Sequence, residues 1–364
     1  MIINSMNIKT YLIELLPFYL AKKWIQYDDK QKSVINYDPF LPKLVAEESK
    51  YDYIISVQGL GFSGSGAVVD LLREYSCCKT FGGIDNEGSK AKGKQPDSGE
   101  MDFLRYSGGL FEIEKFIEDD NIYIKDALIK RLKCTLDSCS FFASSDAKLL
   151  ANQFYNQIID FEIDTFGHAD INGNTTDRLR NDCNIKVMKN LSVDDYITIC
   201  RQFLTLLFNC YHQDKYRYIA LDQLCSDCNF NYTHYLKYVP NLKTIVSYRD
   251  PRDVYTYAIT KNVPWIAHQT VSQFIKWYKH QTKNLNLNST DYLVVQFEKL
   301  VCNYDEQLKR IEEYLHLTPG QHDSMKSCFD PCSSRGNIGI WKNFGGKKDD
   351  LNQIAVQLKE FCYE

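Results

Sequence analysis

Residues 56–72, SVQGLGFSGSGAVVDLL, hold the densest potential for chemistry in the chain. A strand ends at Gly59, a turn runs Gly61-Phe62-Ser63-Gly64-Ser65-Gly66, and a helix is expected from about Ala67. Glycine admits positive φ and lets a ligand approach the backbone closely. The turn's amides then point inward at a helix N-terminus, where the macrodipole favours an anion. Ser63 and Ser65 add hydroxyl donors. Strand, turn and helix in this order predict a phosphate or sulfate site. The turn is a poor nucleoside-triphosphatase loop, because that pattern needs Lys and then Ser/Thr after its second glycine. No lysine follows Gly64 or Gly66, and no acidic residue is evident closing a strand to hold a metal ion.

A second segment, KTIVSYRDPRDVYTYAI at 243–259, ends a strand at Arg249. Asp250 suits a helix N-cap and Pro251 the first helical position, where its missing N–H costs nothing. Arg249 then lies beside another helix N-terminus, at the same sheet edge as the glycine turn. The bland alternative is a salt bridge from Arg249 or Arg252 to Asp250 or Asp253. A third segment, SSRGNIGIWKNFGG at 333–346, offers backbone amides with Arg335, Trp341 and Lys342. Two anion sites at adjacent strand ends suit a ligand phosphorylated at two places.

The elements that must position these residues are legible as four strands: Tyr53 to Val57, Tyr216 to Leu221, Thr244 to Tyr248, and Tyr292 to Phe297. Each is short and apolar on both faces, as a buried parallel sheet requires. Val68, Leu71, Leu72 and Tyr75 recur at helical spacing after the first strand, as do Leu308, Ile311 and Leu315 after the last. Strands alternating with helices imply a mainly parallel α/β sheet flanked by helices, with function at the carboxyl ends of the strands. The stretch from Asn184 to Cys210 reads as helical and apolar. From Gly82 to Gly109, seven glycines with Lys90, Lys92 and Lys94 read either as a basic lid or as a solvated loop.

The chain has 364 residues, 44% hydrophobic and 25% charged, with a net charge of -4, which argues against a broad nucleic-acid footprint. Thirteen scattered cysteines form no compact disulfide framework and point to a reducing, cytoplasmic setting. Cys225-x2-Cys228 and Cys328-x3-Cys332 lie too far apart for a compact zinc site. The first fifty residues read as a helical extension closed by Asp38-Pro39-Phe40-Leu41-Pro42. No run reaches the ~18 apolar residues of a membrane span, although residues 11–24 can lie on a membrane surface as well as pack on their own domain.

The order of the three segments resembles the sulfotransferases that use 3′-phosphoadenosine 5′-phosphosulfate (PAPS). There a strand-loop-helix cradles the 5′-phosphosulfate, an Arg-x-Pro-[Lys/Arg]-Asp-Val strand end holds the 3′-phosphate, and a loop ending Gly-x-Trp-Lys closes over it. The resemblance assigns these roles to Gly61, Phe62, Ser63, Gly64, Ser65, Gly66 and Ala67, to Arg249 through Val254, and to Arg335, Gly336, Trp341 and Lys342. It covers about residues 52–345, with Phe297-Glu298-Lys299-Leu300 matching a further motif. It implies a P-loop-like sulfotransferase fold over 51–364, after an N-terminal extension over 1–50, with acceptor-side loops and helices in 82–235. Phe62 stands where the family usually has Lys or Arg, and Tyr257 where a serine often contacts the 3′-phosphate.

Sulfuryl transfer needs charge stabilisation on the leaving phosphate and a base for the acceptor proton; no metal is required. The resemblance implies Glu100 as the base, by its Gly-Glu context, with Asp102 and His168 as alternatives. Arg105, Lys125, Lys186, Lys189 or Lys342 are candidates for the missing cation. The expected acceptor is a hydroxyl of a saccharide. A nucleotide-binding protein without transfer, and a small-molecule or polysaccharide kinase, remain as other readings.

Overall fold

The computed structural model describes residues 40–81, 109–138, 144–164, 184–225, 231–345 and 347–364. In chain order the elements are β1 (Tyr53–Gly59), α1 (Ser65–Arg73), β2 (Cys78–Phe81), α2 (Leu110–Glu114), α3 (Ile122–Ser138), α4 (Ser145–Ile158), β3 (Ile159–Asp164) and β4 (Asn184–Met188). There follow α5 (Val193–Asn209), β5 (Tyr218–Asp222), α6 (Tyr232–Tyr238), β6 (Leu242–Tyr248), α7 (Pro251–Lys261), α8 (Val271–Gln281), β7 (Leu293–Gln296), α9 (Phe297–Cys302), α10 (Tyr304–Leu315), α11 (Pro331–Ser334) and α12 (Lys348–Gln357). Contacts group the chain into two units.

The first unit comprises Met1–Leu44, Ile113–Ser138 and Phe142–Ile199. Its sheet is the antiparallel pair β3–β4. The Lys186 amide donates to Asp126 on α3 at 2.9 Å, and the Lys186 ammonium pairs with Glu162 across the two strands. Asn184–Met188 is therefore a strand, and the expected helix begins only at Val193. The polar Lys186 masked the strand in the sequence, because its partner Glu162 is remote in the chain.

The second unit comprises Val45–Glu112, Cys139–Phe141 and Cys200–Glu364. Its five-stranded sheet runs β2-β5-β1-β6-β7 with every pairing parallel. β1 is central and its middle five residues are buried, which explains why Tyr53 to Val57 is apolar apart from Ser56. The helical stripe on α1 seals one face: Val68, Leu71 and Leu72, with Tyr75 just beyond, are fully buried against Ile55, Val57, Ala220 and Ile245. Fully burying each such aliphatic side chain contributes about 1.5–3 kcal/mol. The last expected strand stops at Gln296, and Phe297 opens α9 instead.

Strand order decides where a ligand fits. The chain leaves β1 toward β2 on one side, and leaves β6 toward β7 on the other. Connections that diverge in this way open a crevice beyond the carboxyl ends of the two strands. β1 ends in the glycine turn and β6 ends beside Arg249. The fold class read from the sequence, a parallel sheet flanked by helices, is the one observed.

Candidate functional site

Each residue of the turn has a local reason for its type. Gly61, Phe62 and Gly64 all have positive φ, at 20°, 59° and 89°. Gly64 caps α1, and a Cβ there would lie 2.4 Å from a ring carbon of Phe297. Phe62 adopts the left-handed region without being glycine, a strained choice of the kind concentrated at functional sites. The Ser247 hydroxyl donates to the Ser63 carbonyl at 2.8 Å and binds β6 to the turn. α1 begins without a side-chain cap and without an acid in its first turn, so its positive end is left to whatever enters the space beside it.

Arg249 leaves β6 on the other side of that crevice and is 6% exposed. Its guanidinium donates to the Phe62 carbonyl at 3.4 Å and to the Asn337 carbonyl, and lies 3.9 Å from an Asp253 oxygen. The Tyr278 hydroxyl donates to the Arg249 carbonyl at 3.3 Å. Asp250 caps α7 and accepts from the Arg252 amide at 2.8 Å, while its carboxylate pairs with the Arg252 guanidinium. The structural salt bridge thus exists, closely between Arg252 and Asp250 and more loosely between Arg249 and Asp253. Arg249 Nε and Ser63 Oγ are buried with no hydrogen-bond partner among the described residues. Two orphaned buried polar atoms beside an open helix N-terminus fit an anionic ligand.

Beneath this arrangement Glu298 is fully buried and accepts from the Asp250 amide at 2.9 Å through one oxygen, while its other oxygen has no hydrogen-bond partner among the described residues. Burial pushes its carboxyl up to about 7. Asp253, also fully buried, accepts from the Gly339 amide at 2.8 Å and the Trp341 amide at 3.1 Å. The third segment is therefore held on α7 by a carboxylate.

Turn and arginine open on one cavity of about 1090 Å³. Gly61, Phe62, Gly64, Ser65, Gly66, Ala67, Arg249 and Tyr257 line it, so these candidates are brought together, with Ser63 buried within the turn. Of the third segment, Ser333, Ser334 and Asn337 reach the cavity; Arg335, Gly336, Trp341 and Lys342 do not line it. Trp341 stacks instead under Arg252, 4.2 Å from its guanidinium carbon. Glu100, Asp102, Arg105 and His168 lie outside the described residues. Lys125 donates to the Ile117 carbonyl at 2.6 Å and Lys189 to the Asn156 carbonyl at 3.0 Å, both within the first unit.

Sequence reasoning missed two features of the cavity. One is an aromatic wall: Phe62 lies 4.4 Å from Tyr257 and stacks at 6.0 Å on Trp265, which is 65% exposed, and Trp277 also lines the space. The other is an acid at a strand end. Asp222 closes β5, beside β1, and lines the cavity with Gln223. The expectation that no acid closes a strand is corrected: the apolar run stops at Leu221, but backbone pairing continues one residue further. Among the described residues no group of three or more His, Cys, Asp or Glu could hold a metal ion, and no helix is long and apolar enough to cross a membrane.

No family model and no curated protein matches the chain. Among solved structures it is similar to the sulfotransferase domain of the olefin synthase from Synechococcus PCC 7002, at 13% identity over 90% of this chain and 99% of that chain, with a TM-score of 0.39. It is also similar to the sulfotransferase STF9 from Mycobacterium avium, at 12% identity over 86% of this chain and 78% of that chain, with a TM-score of 0.35. Likeness of this size carries no argument about activity. The α/β assignment rests on the strand pairing itself.

Proposed function

We propose that the chain is a sulfotransferase that takes its sulfuryl group from PAPS and delivers it to a hydroxyl of a saccharide acceptor. The observation that carries this reading is the pairing of two anion-binding elements at adjacent strand ends. The open N-terminus of α1 and the buried Arg249 share one cavity. The donor supplies a sulfuryl group on a phosphate that leaves readily. The amides of Gly64 to Ala67, with Ser63 and Ser65, hold the phosphosulfate end and take up negative charge as it develops. Arg249 holds the second phosphate and fixes the ligand's direction in the crevice. Phe62, Tyr257, Trp265 and Trp277 offer apolar faces for a sugar ring, and exclude water from the site. Arg335, Gly336, Trp341 and Lys342 belong to the segment that closes this end. No residue in the reading requires a metal.

The test is calorimetric titration of the full chain with 3′,5′-adenosine bisphosphate, without magnesium, and separately with ATP. Micromolar bisphosphate binding that weakens about 10–100-fold in Arg249→Ala, the loss of one or two charge-assisted contacts, supports the reading. Absence of bisphosphate binding refutes it. The position of Asp222 favours one other reading, a magnesium-dependent kinase with Asp222 holding the ion. Magnesium-dependent ATP binding tighter than that of the bisphosphate would put it first.

A further inference from the structure

We infer that the segment from Leu358 to Tyr363 is a positioning element that keeps Arg249 available to the second phosphate; the inference rests on the sulfotransferase reading above. No residue of this segment lines the cavity. What it touches, instead, surrounds Arg249. Its contacts are Tyr248 just before the arginine, Asp250 just after it, Arg252 in the first turn of α7, and Tyr278, whose hydroxyl holds the Arg249 carbonyl.

The path of the chain explains how the segment arrives there. α12 is tied to α7 by the Tyr255 hydroxyl, which donates to Asp350 at 2.8 Å, and it buries Leu351 and Ile354, with Leu358 just beyond. A single 3-10 turn, Lys359–Phe361, then sends Phe361 inward. Its ring is buried and meets Tyr278 edge-on at 5.3 Å and Tyr248 at 6.0 Å between centroids. Cys362 is extended, at φ -72° and ψ 144°, and carries the backbone of Tyr363 onto the Asp250–Arg252 pair. There the Tyr363 amide donates to the Asp250 carboxylate at 3.0 Å, and the Tyr363 carbonyl accepts from the Arg252 guanidinium at 2.8 Å.

These two bonds bear on the ligand through charge. Asp250 is 2% exposed and follows Arg249 directly, so its carboxylate competes with an incoming anion for the Arg249 guanidinium. The competition is suppressed by giving Asp250 other donors. One of its oxygens accepts from the Arg252 amide at 2.8 Å and from Arg252 Nε at 3.0 Å; the other accepts from the Arg252 guanidinium and from the Tyr363 amide. The segment thus satisfies the acid and anchors the cation that pairs with it. Arg249 is left to the Phe62 and Asn337 carbonyls and to Asp253 at 3.9 Å, with its Nε still without a hydrogen-bond partner among the described residues. A buried carboxylate deprived of a donor recruits another to avoid the cost of an unmade bond, and Asp250 would recruit Arg249 at the ligand's expense.

The test is a double-mutant cycle read by calorimetric titration with 3′,5′-adenosine bisphosphate. Wild type, Tyr363→Pro, Tyr363→Ala, Arg249→Ala and Tyr363→Pro combined with Arg249→Ala are compared as full chains. Proline deletes the amide donor, and the extended Cys362 before it already has the conformation a following proline requires. Tyr363→Pro is expected to weaken bisphosphate binding about 3–30-fold, while Tyr363→Ala, which keeps the amide, stays closer to wild type. In the Arg249→Ala background the proline effect should shrink to within about twofold. Binding by Tyr363→Pro within about twofold of wild type would overturn the assignment. So would an equal loss in Tyr363→Ala, or an undiminished proline effect in the Arg249→Ala background, because a merely structural role adds independently of the arginine. If urea unfolding shows that Tyr363→Pro does not fold, Phe361→Leu, which gives up the ring contacts, takes its place in the same cycle with the same outcomes. Wild type that fails to bind the bisphosphate would refute the sulfotransferase reading and this inference with it; wild type that binds it in an additive cycle would overturn the positioning role alone.

Discussion

Two glycines two residues apart in the turn should respond to alanine with opposite signs. At Gly64 the new Cβ meets Phe297 carbons at 2.4, 2.9 and 3.1 Å, and the backbone has φ 89°. The left-handed conformation costs an alanine about 1–2 kcal/mol. Overpacking against a ring that is itself buried adds about 1–3 kcal/mol. A stiffer unfolded chain returns about 0.4–1 kcal/mol, leaving a net loss of about 1–5 kcal/mol. At Gly66 the Cβ meets nothing within 4 Å and the residue is inside α1, so alanine there should gain about 0.5–1 kcal/mol. Urea unfolding of the full chain, followed by tryptophan fluorescence, measures both. The cause is separable by a double-mutant cycle: in a Phe297→Ala background the Gly64→Ala loss should shrink toward the backbone cost alone. Equal stability of the two single variants, or a Gly64→Ala loss unchanged in the Phe297→Ala background, would refute the argument. The open space at Gly66 faces the cavity, so Gly66→Ala should also weaken bisphosphate binding while stabilising the free chain.

Glu298 makes a pH-dependent contribution. Its folded carboxyl titrates near about 7 instead of 4.5 because burial disfavours the charge. The folded chain holds the extra proton between those values, so the stability that Glu298 contributes falls as pH rises from 4.5 through about 7. Glu298→Gln cannot ionise, and the stability difference between it and wild type should change by on the order of 3 kcal/mol across that window; a difference flat with pH would count against it. Glu74, at the C-terminal end of α1, accepts from His322 at 2.7 Å and from the amides of Lys326, Cys328 and Phe329 at 3.0, 2.9 and 2.8 Å. Glu74→Ala leaves the His322 ring and the Phe329 amide buried without their acceptor and should cost about 3–5 kcal/mol in urea unfolding. A loss below about 1 kcal/mol would mean that the 322–329 strap is held by something else.

What the sequence disclosed, and what it hid, follow from how far apart the interacting residues lie. The turn, the Asp250 cap and the start of α7 are local, and they are where the residue types place them. The strands of the main sheet that lie deepest were legible because both faces are covered. β2 was not: Cys-Lys-Thr-Phe is four residues long at a sheet edge, too short for a pattern. The Glu74 strap joins residues about 250 apart, and the Asp253 clamp residues about 90 apart, so neither leaves a local signature. Asp222 was missed by one residue, because a polar side chain at a functional strand end breaks the apolar run that marks the strand. Composition makes Phe297 a strand residue, whereas it opens α9, and that position in the helix's first turn is what puts its ring beneath Gly64.

The place of β1 at the centre of the main sheet has a consequence for synthesis. It is the first of the five strands to leave the ribosome, yet its neighbours β5 and β6 begin at Tyr218 and Leu242. At ~5–20 residues per second, β1 waits about 8–30 s for its first partner. During that time Ile54, Ile55 and Val57 have no sheet to join. Early collapse can involve α1, whose apolar stripe follows at once, but the crevice cannot form before β6 emerges. The nascent chain is thus obliged to carry an unpaired, largely apolar strand through somewhat less than half of its translation, which makes this segment a natural client for chaperones and gives the fold a high contact order and a slow approach to its native state.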